Sequence, residues 1–159
     1  MRSNRKYKYL LLLGCMLCSF LSQAFEYTIP FTLYENKILI EVVIEKKKYN
    51  FVFDSGAMSL LDLDVVNMKK AKNVAIDLQA EDANEQKKKL DVVQVPSLKL
   101  ENINFKDGYF AVHDFDAINE RSCVPIAGIF GSNLMNNLVW KIDFARKVLI
   151  VSDQSFTEH

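Results

Sequence analysis

This sequence predicts a single, mainly β domain with one or two short helices, and three observations carry that prediction. From Lys37 to Glu45, Ile38, Ile40, Val42 and Ile44 alternate with Leu39, Glu41, Val43 and Glu45. One face is wholly apolar and the other half polar, the period of two that marks a strand. Similar short apolar runs recur along the chain between charged or Asn-containing turns. Apolar residues at helical spacing appear in only two short stretches, Leu63 to Lys70 and Ser132 to Leu138.

Length and composition set the frame. The chain has 159 residues, half of them apolar and a quarter charged, which suits one globular domain with a real core. Arg2, Arg5, Lys6 and Lys8 precede an apolar run from Tyr9 to Leu21, and Ser22-Gln23-Ala24 supplies small residues after it. That is the tripartite pattern of a secretory signal peptide. The run is short for a membrane span, which takes about 20 apolar residues. Residues 1–24 are therefore expected to be a cleaved leader and 25–159 the folded domain, with no membrane span in the mature chain. In a rival reading, Leu12-Leu13-Gly14-Cys15 resembles a lipoprotein box with Cys15 lipidated. Only about five apolar residues would precede that cut, fewer than the usual 7–15. Without the leader, 16 basic residues face 20 acidic ones, a formal charge of −4. Nothing in that balance recommends a nucleic-acid partner.

Along the mature chain, Thr28 to Leu33 and Lys37 to Glu45 read as strands around Glu35-Asn36. Lys46-Lys47-Lys48 reads as a solvated turn and Tyr49 to Phe53 as the returning strand. Asp62 is placed to cap a helix over Leu63 to Lys70 whose apolar side is Leu63, Val66 and Met68. Val74 to Leu78 and Leu90 to Val95 look like strands, and Gln79 to Lys89 like an exposed arm or loop between them. Leu98 to Phe105 folds back around Glu101-Asn102, and Gly108 to Val112 adds a strand. Pro125 to Phe130 is a short apolar strand ending at Gly131, before the helix from Ser132. Val139 to Phe144 and Val148 to Val151 close the chain as a hairpin around Ala145-Arg146-Lys147.

The chemistry is concentrated in Phe51-Val52-Phe53-Asp54-Ser55-Gly56-Ala57. An apolar strand stops on a carboxylate, a hydroxyl and a glycine, and "AMSLL" then returns at once to apolar residues. Asp, Ser and Gly are also ordinary turn formers, but a solvent-facing turn has no need of that immediate apolar return. Much later, "GIFGSNLMNNL" (Gly128 to Leu138) sets two apolar residues and a glycine ahead of an apolar-faced helix. Together these two elements resemble the retroviral-type, or retropepsin-like, aspartic peptidases. There a strand ending in Asp-Thr/Ser-Gly is followed, some sixty to eighty residues on, by an apolar-apolar-Gly strand that passes beside it and feeds a helix. Phe53 to Ala57 matches the first element, and Ile129-Phe130-Gly131-Ser132-Asn133-Leu134 the second. "WKIDFARKVLIV" looks like the closing hairpin of secreted bacterial relatives.

The resemblance implies a closed acid-protease-like barrel and an exported aspartic endopeptidase. Asp54 would be the catalytic carboxylate, with Ser55, Gly56 and Ala57 supporting its loop and Ile129, Phe130, Gly131 and Asn133 forming the loop beside it. One chain supplies one such aspartate, so the family solution is a two-fold homodimer. It needs no metal or cofactor, and its partner would be a peptide or protein substrate. The compartment implied is a bacterial periplasm or the extracellular space. Between the two elements, where the viral enzymes carry a glycine-rich flap, Ile76 to Val95 contains no glycine. A catalytically inactive module that binds peptide or protein in the same groove is therefore the alternative reading.

Other candidates are weaker. Asp62-x-Asp64 has no His or third carboxylate beside it at ligand spacing, and acidic residues suit a helix start. His113, near Asp114 and Asp116, reads as a strand-end residue, and Trp140 as core. Cys123 is the one cysteine left after the leader, so it has no internal disulfide partner and reads as a small buried side chain. No phosphate-cradling loop, zinc motif or dinucleotide fingerprint is present.

Overall fold

Alternating strands with little helix can bury their apolar faces only against one another, and here they do so by closing a barrel. The protein is described by a computed structural model covering residues 25–68, 71–81, 87–136 and 138–154. The expected leader, residues 1–24 with Cys15, lies outside the described residues. The strands are β1 (Glu26–Pro30), β2 (Thr32–Tyr34), β3 (Lys37–Ile44), β4 (Lys47–Asp54), β5 (Leu60–Asp62), β6 (Lys72–Glu81), β7 (Lys87–Leu100), β8 (Ile103–His113), β9 (Gly128–Gly131), β10 (Val139–Asp143) and β11 (Val148–Ser152). The helices are α1 (Leu63–Met68), α2 (Asp116–Asn119) and α3 (Ser132–Met135). The larger sheet runs β2-β3-β4-β9-β5-β8-β7-β6, and an added β3–β7 pairing, Val43 with Lys99 and Ile44 with Leu98, closes six of its strands into a ring. β2 and β6 lie outside that ring. The smaller sheet, β1-β11-β10, is antiparallel.

The ring encloses the core expected from the alternation. Ile40, Val42 and Ile44 of β3, Phe51 of β4, Leu98 and Leu100 of β7 and Phe110 of β8 are essentially inaccessible to water. Leu39, on the half-polar face, is buried as well. The smaller sheet adds Ile29, Leu149 and Val151 to the same core.

Several boundaries differ from the sequence reading. The first expected strand is divided at Phe31, whose N–H donates to the Lys147 carbonyl at 3.0 Å. Its two halves consequently serve different sheets. The hairpin after β3 turns on Glu45-Lys46, both with positive φ, and Lys47 and Lys48 already belong to β4. A two-residue loop of that type matches the twist of the strands it joins. Register then sets Glu41 near Lys48, whose ammonium lies 2.7 Å from its carboxylate. Gln79 to Glu81 and Lys87 to Lys89 are paired strand ends of a long β6–β7 hairpin, and the intervening part of the expected loop lies outside the described residues. β8 runs unbroken through the expected gap between Phe105 and Gly108, with Asp107 at φ 54° absorbing the irregularity. α3 is shorter than expected, and α2 has no counterpart in the sequence reading. In α1 the inward residue is Val65, while Leu63 is exposed.

Phe51 tests the packing most directly, being fully buried and edge-on to Phe110 with ring centres 6.3 Å apart. Phe51→Ala is expected to cost about 3–5 kcal/mol in stability, read from urea unfolding with an unchanged m-value.

Candidate active site

The site is built where β9 is inserted between β4 and β5. β9 runs parallel to β4, with Phe53 opposite Phe130 and Asp54 opposite Gly131, and antiparallel to β5. The chain leaving β4 at Asp54 must therefore loop over the end of β9 before it returns as β5. Its backbone comes so close to Gly131 that a Cβ there would lie 2.5 Å from the Ala57 carbonyl oxygen, the Met58 carbonyl carbon and the Ser59 nitrogen. Only glycine fits at that crossing. Gly128, at the other end of β9, is equally constrained by the Leu60 carbonyl oxygen at 2.4 Å.

The two loops are stitched by hydrogen bonds. The Ser132 N–H donates to the Ala57 carbonyl at 2.8 Å, and the Ser132 hydroxyl donates to the same oxygen at 3.1 Å. The Gly131 N–H donates to Ser59 Oγ at 2.9 Å. Asn133 bridges three segments: its Oδ1 accepts the Ser59 N–H at 2.8 Å, and its Nδ2 donates to the Tyr109 carbonyl of β8 at 2.8 Å. Each of these groups would be costly to leave unpaired away from water. Beneath them Phe53, Phe130 and Trp140 pack as one aromatic cluster, with Phe53–Trp140 centres 5.2 Å apart and Phe130–Trp140 centres 5.7 Å apart. The Trp140 indole N–H donates to the Met135 carbonyl at 3.1 Å.

On this base Asp54 is exposed, with its Oδ1 accepting the Gly56 N–H at 2.8 Å. That bond orients the carboxylate. Ser55 is exposed and makes no hydrogen bond within the chain among the described residues. Ala57 and Ile129 are half-buried, Phe130 and Gly131 buried, and Asn133 half-buried between the loops. All eight residues singled out in the sequence thus lie in one loop pair or the strand feeding it. The pair carries a single carboxylate. An isolated carboxylate can accept a proton from water, but the same chain offers no second acid at this loop pair to polarise a carbonyl.

Sequence reading missed Ser59 and Ser132. The signal for Ser59 was present: one hydroxyl inside the apolar return "AMSLL" must find a partner when buried. The role of the Tyr109 carbonyl has no side-chain signature at all.

A second electrostatic feature lies at the ends of β5 and β8. Asp62 is buried; its Oδ1 accepts the Asp64 N–H at 2.9 Å, capping α1, and its Oδ2 accepts the Phe115 N–H at 3.1 Å. Both oxygens serve the backbone, which accounts for Asp62-x-Asp64 without a metal. No group of three or more His, Cys, Asp or Glu among the described residues is arranged to hold one. Repulsion from Asp114, with smaller contributions from desolvation and from Asp64, Asp62 and Glu120, raises the pKa of Asp116. His113 ends β8 edge-on to Phe115. Cys123, expected to be buried, is exposed, because its N–H is held by the Tyr34 hydroxyl at 3.0 Å in the surface loop before β9.

Comparison with known proteins converges on the same region. Residues 40–134 match a family model described as aspartyl protease, a stretch that contains both loops. Among solved structures, a retropepsin-like aspartic protease from Rickettsia conorii superposes with a TM-score of 0.53 at 18% identity, covering 82% of this chain and 92% of that one. Similarity at that identity speaks for the fold. No curated protein matches the sequence.

Two outcomes follow from this geometry. Asn133→Ala, which orphans the Ser59 N–H and the Tyr109 carbonyl, is expected to lower stability by about 1–3 kcal/mol in urea unfolding. Asp116, with its pKa raised, contributes stability below the unfolded aspartate pKa and loses it as pH rises through the folded value. Asp116→Asn should therefore raise the melting temperature at pH 7, and the gain should vanish in acid.

Proposed function

The chain belongs to the aspartyl protease family, and from that premise we propose that it is an exported aspartic endopeptidase whose site is completed by a second copy of itself. The observation that carries this reading is Asp54, exposed at the mouth of the barrel, oriented by the Gly56 N–H and present once per chain. Two facing copies would hold one proton between them, because like charges so close cannot both ionise. The ionised member accepts a proton from a water between the pair, and the water oxygen attacks the peptide carbonyl carbon. The protonated member donates to the carbonyl oxygen as it gains charge. When the tetrahedral species collapses, the C–N bond breaks and the leaving nitrogen takes a proton from the pair. Gly56 supports this by fixing the carboxylate, and the unbonded Ser55 hydroxyl is available to the facing loop.

Export rests on the leader pattern of residues 1–24 and places the mature start at Phe25, in a periplasm or outside the cell. No helix among the described residues is long and apolar enough to cross a membrane.

One observation favours a binding module instead. In chain order the β6–β7 hairpin falls between the two site elements, where the resemblance implies a flap, and the sequence from Ile76 to Val95 has no glycine. A hairpin without glycine has fewer backbone conformations open to it.

Hydrolysis of a mixed peptide library by the wild type and by Asp54→Asn separates the two readings. The peptidase reading expects cleavage that Asp54→Asn abolishes, a bell-shaped pH profile whose limbs belong to the pair, and specific activity that falls on dilution as dimers dissociate. Peptide binding without turnover, equal in both proteins, would establish the module.

A further inference from the structure

A second site lies at the other end of the barrel from Asp54, where β3 and β6 part along one edge of β7. We infer that this fork binds a small aliphatic carboxylate. The inference goes beyond the peptidase reading and does not depend on it.

β7 has β8 along one edge, so β6 and β3 share the other. β6 runs beside it as far as the pair Lys72–Gln94, and β3 takes over at Leu98 and Lys99. Val95, Pro96 and Ser97 lie between, with no strand beside them on that edge among the described residues. A gap in a sheet ordinarily strands backbone donors, but Pro96, in the middle of this one, has no N–H to strand. The same residue keeps a visiting peptide from completing the ladder there.

The fork opens into a cleft of about 290 Å³. Its lining is mainly aliphatic, with Ile44 and Val95 buried and Ala71 and Pro96 nearer the surface. Of its polar side chains, the Ser97 hydroxyl donates to Asn104 Oδ1 at 2.7 Å, and Glu45 is engaged by another group. The other two are the exposed ammoniums of Lys46 and Lys99, neither of them in an ion pair among the described residues.

An aliphatic cleft bordered by two cations suits a hydrocarbon chain that ends in one carboxylate. The chain leaves water, while lysine stems cover it and their ammoniums stay hydrated beside the head group. A peptide would bring amides into a lining with no free side-chain partner for them, which opposes its entry. The volume is at the small end for ligand pockets and fits a chain of about eight carbons. Lys46 immediately precedes β4, and Asp54 is the last of its eight residues. An extended strand of that length spans roughly 23 Å, so a ligand in the fork does not reach the carboxylate.

Octanoate titrated into the isotope-labelled protein, followed by amide chemical shifts, tests the site. Saturable shifts are expected at Ile44 to Lys46, Ala71, Val95 and Ser97 to Lys99. Asp54→Asn should bind octanoate as the wild type does, whether or not the protein cleaves peptides. Octanol and octylamine should bind the wild type at least tenfold more weakly than octanoate, and K46Q/K99Q should lose the same factor for octanoate. Should that double variant fail to fold, the comparison of octanoate with octanol in the wild type decides. Absence of saturable shifts at millimolar octanoate, or octanol binding as tightly, overturns the site. Shifts there with N-acetyl-dileucine but none with octanoate would assign the fork to peptide C-termini and overturn the aliphatic ligand.

Discussion

The structure depends on one steric constraint, the passage of β9 between β4 and β5. Where the chain crosses over the end of β9, backbone faces backbone with no room for a Cβ on Gly131. That crossing ends β4 at Asp54, forces the loop through Ala57 and Ser59, and aims α3 so that Asn133 can reach both Ser59 and β8. The carboxylate is exposed because the strand under it is buried: Phe53 and Phe130 stack beneath the loop, and Trp140 closes the cluster from the smaller sheet.

The division of labour between the sheets follows. The closed ring supplies the core and fixes the loop pair, and the matched residues 40–134 lie within or beside it. The smaller sheet, made of β1, β10 and β11, falls outside that stretch and ties the chain's two described ends together. A ring has no edges, so among the described residues the edge strands are β2 and β6 of the larger sheet and β1 and β10 of the smaller.

Legibility in the sequence tracks how local the cause is. Alternation over Lys37 to Glu45 identifies β3 because the period of two is a property of one strand. The pairing of "FDSGA" with "GIFGSN" is legible because the two elements, in that order and spacing, resemble a known family, although either alone would pass for an ordinary turn. The boundary at Phe31 is not, since it depends on the Lys147 carbonyl more than a hundred residues away. β5 reads only as an apolar return, because three residues carry too little pattern to declare a strand. Helical spacing puts Leu63 on the inward side of α1, whereas the rotation of that helix is set by Asp62, whose second oxygen is committed to Phe115. The apolar character of Cys123 points inward, and the fold places it on a surface loop.

By itself, the sequence determined the mainly β class, the leader pattern and eight residues of the two loops and the strand between them, because each is written in side-chain type and short-range order. The tertiary structure decided that β3 meets β7 to close the ring, that Ser59 and the Tyr109 carbonyl hold Asn133, and that Trp140 of β10 packs on Phe53 beneath Asp54. Those outcomes depend on backbone groups and on register between distant strands. Backbone amides and carbonyls are the same in every residue, so their partners can be read only once the chain is folded.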